Sequence, residues 1–418
     1  MQEPYLSSAR DLTPEVNDLL ACHDLRPGVI EDDGHPDPAI ALALSGGGFR
    51  ATLSALGVLR FLADVDLLRR VQVSSSVSGG SIANGFFASR WRALEHEDFA
   101  ASAFEALVVA PLVGRISRHS LQLSLYLNSW RVLAPGRSFT DVLVRQLDSW
   151  LYGGISLDAI PGPEECRFIF NASDIRTGRR YAFRQQDMGE WEESRRHSNA
   201  GVRLAEAVAA SCSVPGVFPP LRIKVPPGTD RPILLDGGVY DTLGVDPIDH
   251  PDSKGMIVSM NAGDIYHSTS LSRIFPRVTA FLKSSQMSHT QNTSQRMLIM
   301  GERFNTWQRW RDDEAERRAA PSWARRGVQF SLNTRFDQPP QTWVSVHPEV
   351  PTWAGDKSEQ GGWVSWVADT PTSLERFKID RCESLVYRSW WLTGATLARW
   401  HPDVLPPERY PVWRSVSL

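Results

Sequence analysis

Three consecutive glycines, Gly46-Gly47-Gly48, follow the apolar run Ala39-Ile40-Ala41-Leu42-Ala43-Leu44 and precede a stretch of helical periodicity. The run has the length and composition of a buried strand. From Phe49 onward, Leu53, Leu56, Leu59 and Leu62 fall along one side of a helix. Strand, glycine turn and helix in so short a span point to an α/β architecture. In it, backbone N–H groups converge with a helix N-terminus. Such a turn holds an anion, either a phosphate or a developing oxyanion. The turn lacks the Lys-Ser/Thr ending of a phosphate loop and the spacing of a dinucleotide fingerprint. Arg50 falls in the first helical turn, where a cation opposes the helix dipole. It is expected either to brace the loop or to contact a phosphate.

A second stretch is built alike. Val71 to Val77 alternates and ends in small residues, Ser78-Gly79-Gly80-Ser81 follows, and Ile82 to Ala88 reads as a helix. A serine on a sharp strand-to-helix turn needs small residues two places to either side, because the backbone there is strained and crowded. Ser76 and Gly80 hold those places around Ser78. Ser76 stands where glycine is usual, so Ser76 and Ser81 remain rival hydroxyls. A third stretch, Ile233-Leu234-Leu235-Asp236-Gly237-Gly238, ends a short apolar strand on an aspartate beside glycines. Asp-Gly is also a common hairpin turn. In the active reading, Asp236 points across the top of a sheet toward Ser78.

Together and in this order, the three stretches resemble the patatin-like phospholipase family. That family uses a Gly-Gly-Gly-x-Arg/Lys-Gly oxyanion loop, a Gly-x-Ser-x-Gly nucleophile turn and an Asp-Gly-Gly/Ala base. The resemblance makes Ser78 the nucleophile, Asp236 its base, Gly46, Gly47 and Gly48 the oxyanion loop, and Gly237-Gly238 the base turn. Ala51 replaces the glycine that often follows the arginine. Phe168 to Ile175 with Thr177-Gly178-Arg179 is similar to the family's strand–turn–strand. Ala207 to Ser211 with Ser213 to Pro220 is similar to its helix and proline turn. The resemblance covers residues 38–250. It implies a three-layer α/β/α fold with a mainly parallel central sheet and an elaborated C-terminal part.

A serine hydroxyl needs a base within hydrogen-bond reach. Of ten histidines, His250, His267, His289, His347 and His401 follow Asp236, at polar or Pro-flanked positions that suit solvated loops. A Ser78–Asp236 dyad is therefore expected, with a Ser-His-Asp triad as the alternative. The resemblance implies a lipid acyl hydrolase of phospholipase A or lysophospholipase type. It would act on membrane phospholipid or lysophospholipid and need neither metal nor organic cofactor. The other readings are a catalytically silent protein holding a phosphate or lipid headgroup, and a signal-gated bacterial immune phospholipase effector.

The remaining features set the frame. The chain has 418 residues and a net charge of −3, so no global field draws it to nucleic acid or anionic lipid. Cys22, Cys166, Cys212 and Cys382 are scattered, with neither metal-ligand spacing nor a disulfide framework. Met1 to Leu6 lacks a basic segment leading into an apolar one, and no apolar run reaches membrane-span length. A cytoplasmic enzyme making peripheral contact with a membrane is the expectation.

Residues 1–37 read as a polar N-terminal segment, 38–262 as the catalytic core and 263–418 as a helical, Trp-rich extension. Residues 93–160 read as helical. Within them Leu121, Leu123, Leu125, Tyr126 and Leu127 form an apolar patch, read as core packing with a site-covering lid as the alternative. Arg273 to Arg303 reads as one or two helices, 309–318 as an exposed charged helix, and 370–400 as a polar N-cap with two helical segments. Eleven of fifteen tryptophans lie after residue 300 and are read as core, with membrane docking as the alternative.

Overall fold

Among the described residues, Ile40–Leu44 (β1) is an inner strand of a sheet of nine strands. The computed structural model describes residues 30, 33–130, 138–190, 196–199, 201–225, 231–250, 252–263, 276–311, 322–357 and 362–416. The other strands are β2 (Val71–Val77), β3 (Arg167–Asp174), β4 (Arg179–Phe183), β5 (Asp187–Gly189), β6 (Arg196–Ser198), β7 (Leu234–Asp236), β8 (Met256–Asn261) and β9 (Arg326–Ser331). Their order is β6-β5-β4-β3-β2-β1-β8-β9, with β7 paired to β3. The pairings β3–β2, β2–β1, β1–β8 and β8–β9 are parallel, and the remainder are antiparallel.

Successive side chains of a strand face opposite ways, and β1 follows that rule. Ile40, Leu42 and Leu44 join one apolar cluster with helices α1 (Gly48–Asp64) and α2 (Gly79–Ala88). Ala39, Ala41 and Ala43 join the opposite cluster. Both faces are covered, which is the three-layer α/β/α arrangement.

Four further helices bear on the site: α3 (Leu121–Leu127), α4 (Phe139–Leu147), α5 (Leu204–Ser211) and α6 (Pro276–Arg311). The last, α6, brings Met300 and Phe304 to the second cluster. Helix α7 (Ile379–Trp400) packs on α1. That approach is close: a Cβ on Gly57 would lie 2.3 Å from the Val386 carbonyl oxygen, and one on Gly394 would lie 2.8 Å from the Phe61 ring.

The structure resolves several open expectations and changes others. Residues 276–311 form one continuous helix. The 370–400 stretch holds one helix, α7, entered from Lys378 without a polar side-chain cap. The C-terminal tryptophans divide: Trp343, Trp363, Trp390 and Trp391 are fully buried in the core, while Trp323, Trp353 and Trp400 are exposed. The patch at 121–127 divides by helical spacing: Leu121 and Leu125 are buried, while Leu123, Tyr126 and Leu127 are exposed. The expected helix at 309–318 lies mostly outside the described residues, as does most of the N-terminal segment 1–37. Among the described residues no helix is long and apolar enough to cross a membrane.

Candidate active site

Strands β1, β2 and β8 run parallel, and their C-terminal ends meet at one crevice, where open α/β sheets place ligands. Ser78 follows β2 with φ 49° and ψ −121°, a conformation a non-glycine residue rarely holds. Strain of about 1–3 kcal/mol at such a residue persists only where the surroundings fix it. Here they do. A Cβ on Gly79 would lie 2.0 Å from the Gly48 carbonyl oxygen, and one on Gly80 would lie 2.5 Å from that of Leu44. The Ser78 N–H donates to Ser211 Oγ at 2.9 Å.

The rival hydroxyls are otherwise engaged. Ser81 Oγ donates to Ser76 Oγ at 3.0 Å and meets Ser211 Oγ at 2.9 Å. Asn84 Nδ2 donates to Ser76 Oγ at 2.9 Å, and Ser76 donates to the Ile169 carbonyl. Ser76 and Ser81 are fully buried in this network, whereas Ser78 borders the cavity. Ser76 at the usual glycine position thus belongs to a polar foundation beneath the turn.

Asp236 ends β7, whose register sets it opposite Ala172 of β3. Val77 stands opposite Asn171 on the same β3, so Ser78 and Asp236 reach the same level from either side of that strand. Gly237 lets the chain pass: its Cβ would lie 2.2 Å from the Asn171 carbonyl oxygen. Asp236 Oδ1 accepts the Gly238 N–H at 2.8 Å, while Oδ2 is buried without a hydrogen-bond partner. The Ser78 hydroxyl stands beside it, close enough to favour the charged carboxylate but outside full hydrogen-bond geometry. Catalytic hydrogen bonds are often loose at rest and tighten in the reacting complex. Burial outweighs the two favourable contacts and pushes the carboxyl up to about 6.

The glycine turn closes the triangle. Gly46 lies against Ser78: a Cβ there would be 3.2 Å from the serine's own Cβ. The Gly46 N–H donates to the Thr242 carbonyl at 3.0 Å, so it is already engaged. Among the described residues, no backbone hydrogen bond engages the amides of Gly47 and Gly48. Gly47 has φ 135° and Gly48 has φ 57°, and α1 begins there. Residues far along the chain hold this turn. The Phe49 N–H donates to the Ser373 carbonyl at 2.9 Å. Arg50 is buried, with Nε on the Ala262 carbonyl at 2.9 Å and Nη1 on those of Ala368 and Thr370 at 3.2 and 2.8 Å. These bonds tie the turn to distant carbonyls, and Arg50 is not among the residues that line the cavity described below. Arg50→Ala is expected to destabilise the chain by about 2–4 kcal/mol, because it unpairs several buried carbonyls. It is also expected to slow phospholipid and p-nitrophenyl ester cleavage alike. Thermal melts beside the two assays check this, and selective loss on phospholipid contradicts the brace.

A cavity of about 740 Å³ opens over Ser78, Asp236 and the glycine turn. Leu125, Tyr126, Phe139, Val217 and Phe218 line one side. Two groups join the site that the sequence did not single out. The Cys212 thiol faces Ser78 and Asp236, and burial pushes its pKa well above the usual thiol value. His289 lies on α6 and lines the cavity, its Nδ1 3.8 Å from where a Gly238 Cβ would be. Partial burial lowers its pKa. The expectation of solvated loop histidines therefore fails for His289, and also for His347 and His401, which are buried in the core. His267 lies outside the described residues. No short-range signal marked His289, because its helix arrives from a distant part of the chain.

A sequence profile described as patatin-like phospholipase matches residues 42–249, about half of the chain. The chain belongs to the patatin-like phospholipase family. No curated protein matches it in sequence. Among solved structures, human GIVD cytosolic phospholipase A2 is similar with a TM-score of 0.51 at 14% identity, covering 96% of this chain and 65% of that one. The same human enzyme in complex with methyl gamma-linolenyl fluorophosphonate gives 0.48 at 15% identity, with the same coverage. The first likeness bears on the fold. This chain spans 65% of the human enzyme's length.

Proposed function

We propose that the chain is a lipid acyl hydrolase that cleaves carboxylic esters through an acyl-Ser78 intermediate, with Asp236 as the base. The observation that carries this reading is the buried Oδ2 of Asp236, unpartnered and beside Ser78 on a strained turn. Asp236 takes the hydroxyl proton as Ser78 Oγ attacks the acyl carbon. The amides of Gly47 and Gly48 receive the developing oxyanion, helped by the N-termini of α1 and α2. Return of the proton to the leaving alcohol collapses the intermediate to the acyl-enzyme. Water, activated by the same carboxylate, then releases the acid.

The substrate class follows from the apolar side of the cavity and its surroundings. Leu123, Tyr126, Leu127 and Val217 are exposed on elements that line it. A rim of that chemistry suits peripheral contact with a lipid surface, from which an acyl chain enters. A phospholipase A or lysophospholipase activity is the corresponding type. The silent-binding alternative has no use for an unpaired carboxylate at the serine. A fluorophosphonate probe tests the reading: labelling at Ser78, absent in Ser78→Ala, is expected, and no labelling of folded protein refutes it. Gly47→Ala is expected to lower kcat by about 10²-fold or more with little change in KM. Its Cβ would meet the Ala262 carbonyl oxygen at 2.4 Å from a φ of 135°. Steady-state kinetics on a soluble ester check this.

A further inference from the structure

Helix α5 packs at once on β3, on β7 and on α2, so it touches the elements that carry both Ser78 and Asp236. Its C-terminal end, Ser211-Cys212-Ser213, meets the two residues through their backbones. The Ser78 N–H donates to Ser211 Oγ at 2.9 Å, and the Asp236 N–H donates to the Ser213 carbonyl at 2.9 Å. Cys212 stands between these anchors, its thiol facing Ser78 and Asp236. The Ser213 carbonyl is itself held in place. Ser213 Oγ donates to the Ala209 carbonyl at 2.7 Å and its N–H to that of Ala210 at 3.2 Å. All three residues are buried. Cys212 lines the cavity, whereas Ser211 and Ser213 are not among its lining residues.

Proton counting fixes the direction of the bonds behind Ser78. A hydroxyl has one proton and two lone pairs. Ser76 gives its proton to the Ile169 carbonyl, so it accepts from Ser81 Oγ and from Asn84 Nδ2. Ser81 has thereby committed its proton to Ser76. The 2.9 Å contact between Ser81 Oγ and Ser211 Oγ must then be donated by Ser211. The relay runs one way, from Ser211 through Ser81 and Ser76 to a carbonyl of β3. Such a chain polarises each of its members. It leaves Ser211 Oγ one role toward the nucleophile turn, that of acceptor for the Ser78 N–H. Ser76, at the place where glycine is usual, supplies the last hydroxyl of the relay.

We infer that Ser211-Cys212-Ser213 is the gauge that sets the separation of Ser78 and Asp236, with Ser211 as the positioning residue for the nucleophile. Its catalytic meaning rests on the hydrolase reading of the Ser78 site and deepens that reading. Ser78 is held at φ 49°, a conformation that persists only where its surroundings fix it. The bond to Ser211 pins the amide of that strained residue. Ser211 touches the amide and not the hydroxyl. Its loss therefore leaves nucleophile and base chemically intact but frees their spacing. Misplacement by about 1 Å costs on the order of 10²-fold in rate. Substrate binding, made by the cavity walls, is left alone.

Ser211→Ala in the full chain is expected to lower kcat on a soluble ester by about 10²-fold, with KM within about twofold of wild type. Thr393→Ala is the control for stability alone. It too removes a buried hydroxyl, one that donates to the Ser389 carbonyl of α7 at 2.7 Å, away from the cavity lining. Its kcat is expected to stay within about twofold of wild type. Hydrogen exchange read by mass spectrometry follows the pin without catalysis. Peptides that span Ser78 are expected to exchange about tenfold faster in Ser211→Ala than in wild type or Thr393→Ala, the factor that one lost hydrogen bond supplies. Ser211→Cys keeps the shape with a weaker acceptor and is expected to fall between; it carries the test if the alanine variant does not fold. A folded Ser211 variant with wild-type kcat, or with unchanged exchange at Ser78, overturns the inference. So does a loss of rate that Thr393→Ala shares or that a raised KM accounts for. Failure of the hydrolase reading shows separately, as absent fluorophosphonate labelling of wild type at Ser78, and the exchange comparison then decides the pin.

Discussion

Ser78→Ala is expected to abolish ester hydrolysis, by about 10³-fold or more, while leaving the fold and its thermal transition in place. The Ser78 hydroxyl contributes little to packing. Its structural work is done by the backbone, whose N–H reaches Ser211 and whose φ of 49° forms the turn. Alanine preserves both. Removal of the hydroxyl takes away the nucleophile and nothing else that the turn needs. Ser76 makes the contrast. Its hydroxyl ties the Ile169 carbonyl, Ser81 and Asn84 together inside the core. Ser76→Ala is therefore expected to cost stability, about 1–3 kcal/mol. Paired melts and kinetics on a soluble ester distinguish the two. Activity lost at Ser76 but retained at Ser78 assigns the reaction to the wrong serine and overturns the site.

The parts that sequence made legible are local ones. Gly46-Gly47-Gly48, Ser78-Gly79-Gly80 and Asp236-Gly237-Gly238 each sit where a strand ends. Each declares itself through glycines that the backbone needs within a few residues. The alternation of β1 likewise reports its two covered faces. What stayed hidden depends on pairs far apart in the chain. Arg50 looks anomalous in a first helical turn until Ala262, Ala368 and Thr370 supply its acceptors. Gly57 and Gly394 look like helix weak points until α7 lies across α1. His289 of α6 has no meaning until the helix crosses the cavity. The Trp-rich C-terminal stretch was ambiguous for the same reason. Tryptophan serves a core and a membrane rim equally well, and only the neighbours decide. Trp343 and Trp390 pack edge to face on Phe61, and Trp413 packs edge to face on Tyr387 and Trp390, so these members of the stretch are core.

Asp236→Asn is expected to separate activity from stability, gaining one while losing the other. Burial raises the carboxyl from 3.8 to about 6. Between those values the folded chain keeps a proton that the unfolded chain has released, so folding is favoured on the acid side. That advantage is lost as pH rises through about 6. At about pH 8 the wild type therefore holds an ionised, half-satisfied carboxylate whose cost reaches on the order of 3 kcal/mol. Asparagine keeps an oxygen for the Gly238 N–H and sets an amide nitrogen where the unpartnered Oδ2 stands. It is expected to raise Tm at pH 8 by roughly 2 °C, with the difference vanishing below about pH 4. Activity is expected to fall by about 10³-fold or more, because an amide cannot take the serine proton. In the wild type, kcat/KM is expected to rise with pH through about 6, as the carboxylate form fills. His289→Ala is expected to cost no more than about tenfold on a soluble ester, since the dyad routes no proton through imidazole. A loss at His289 equal to that at Asp236 would replace the dyad by a triad. A lower Tm in Asp236→Asn at pH 8 would mean that the buried carboxylate anchors the fold instead of waiting, unpaired, for the serine proton.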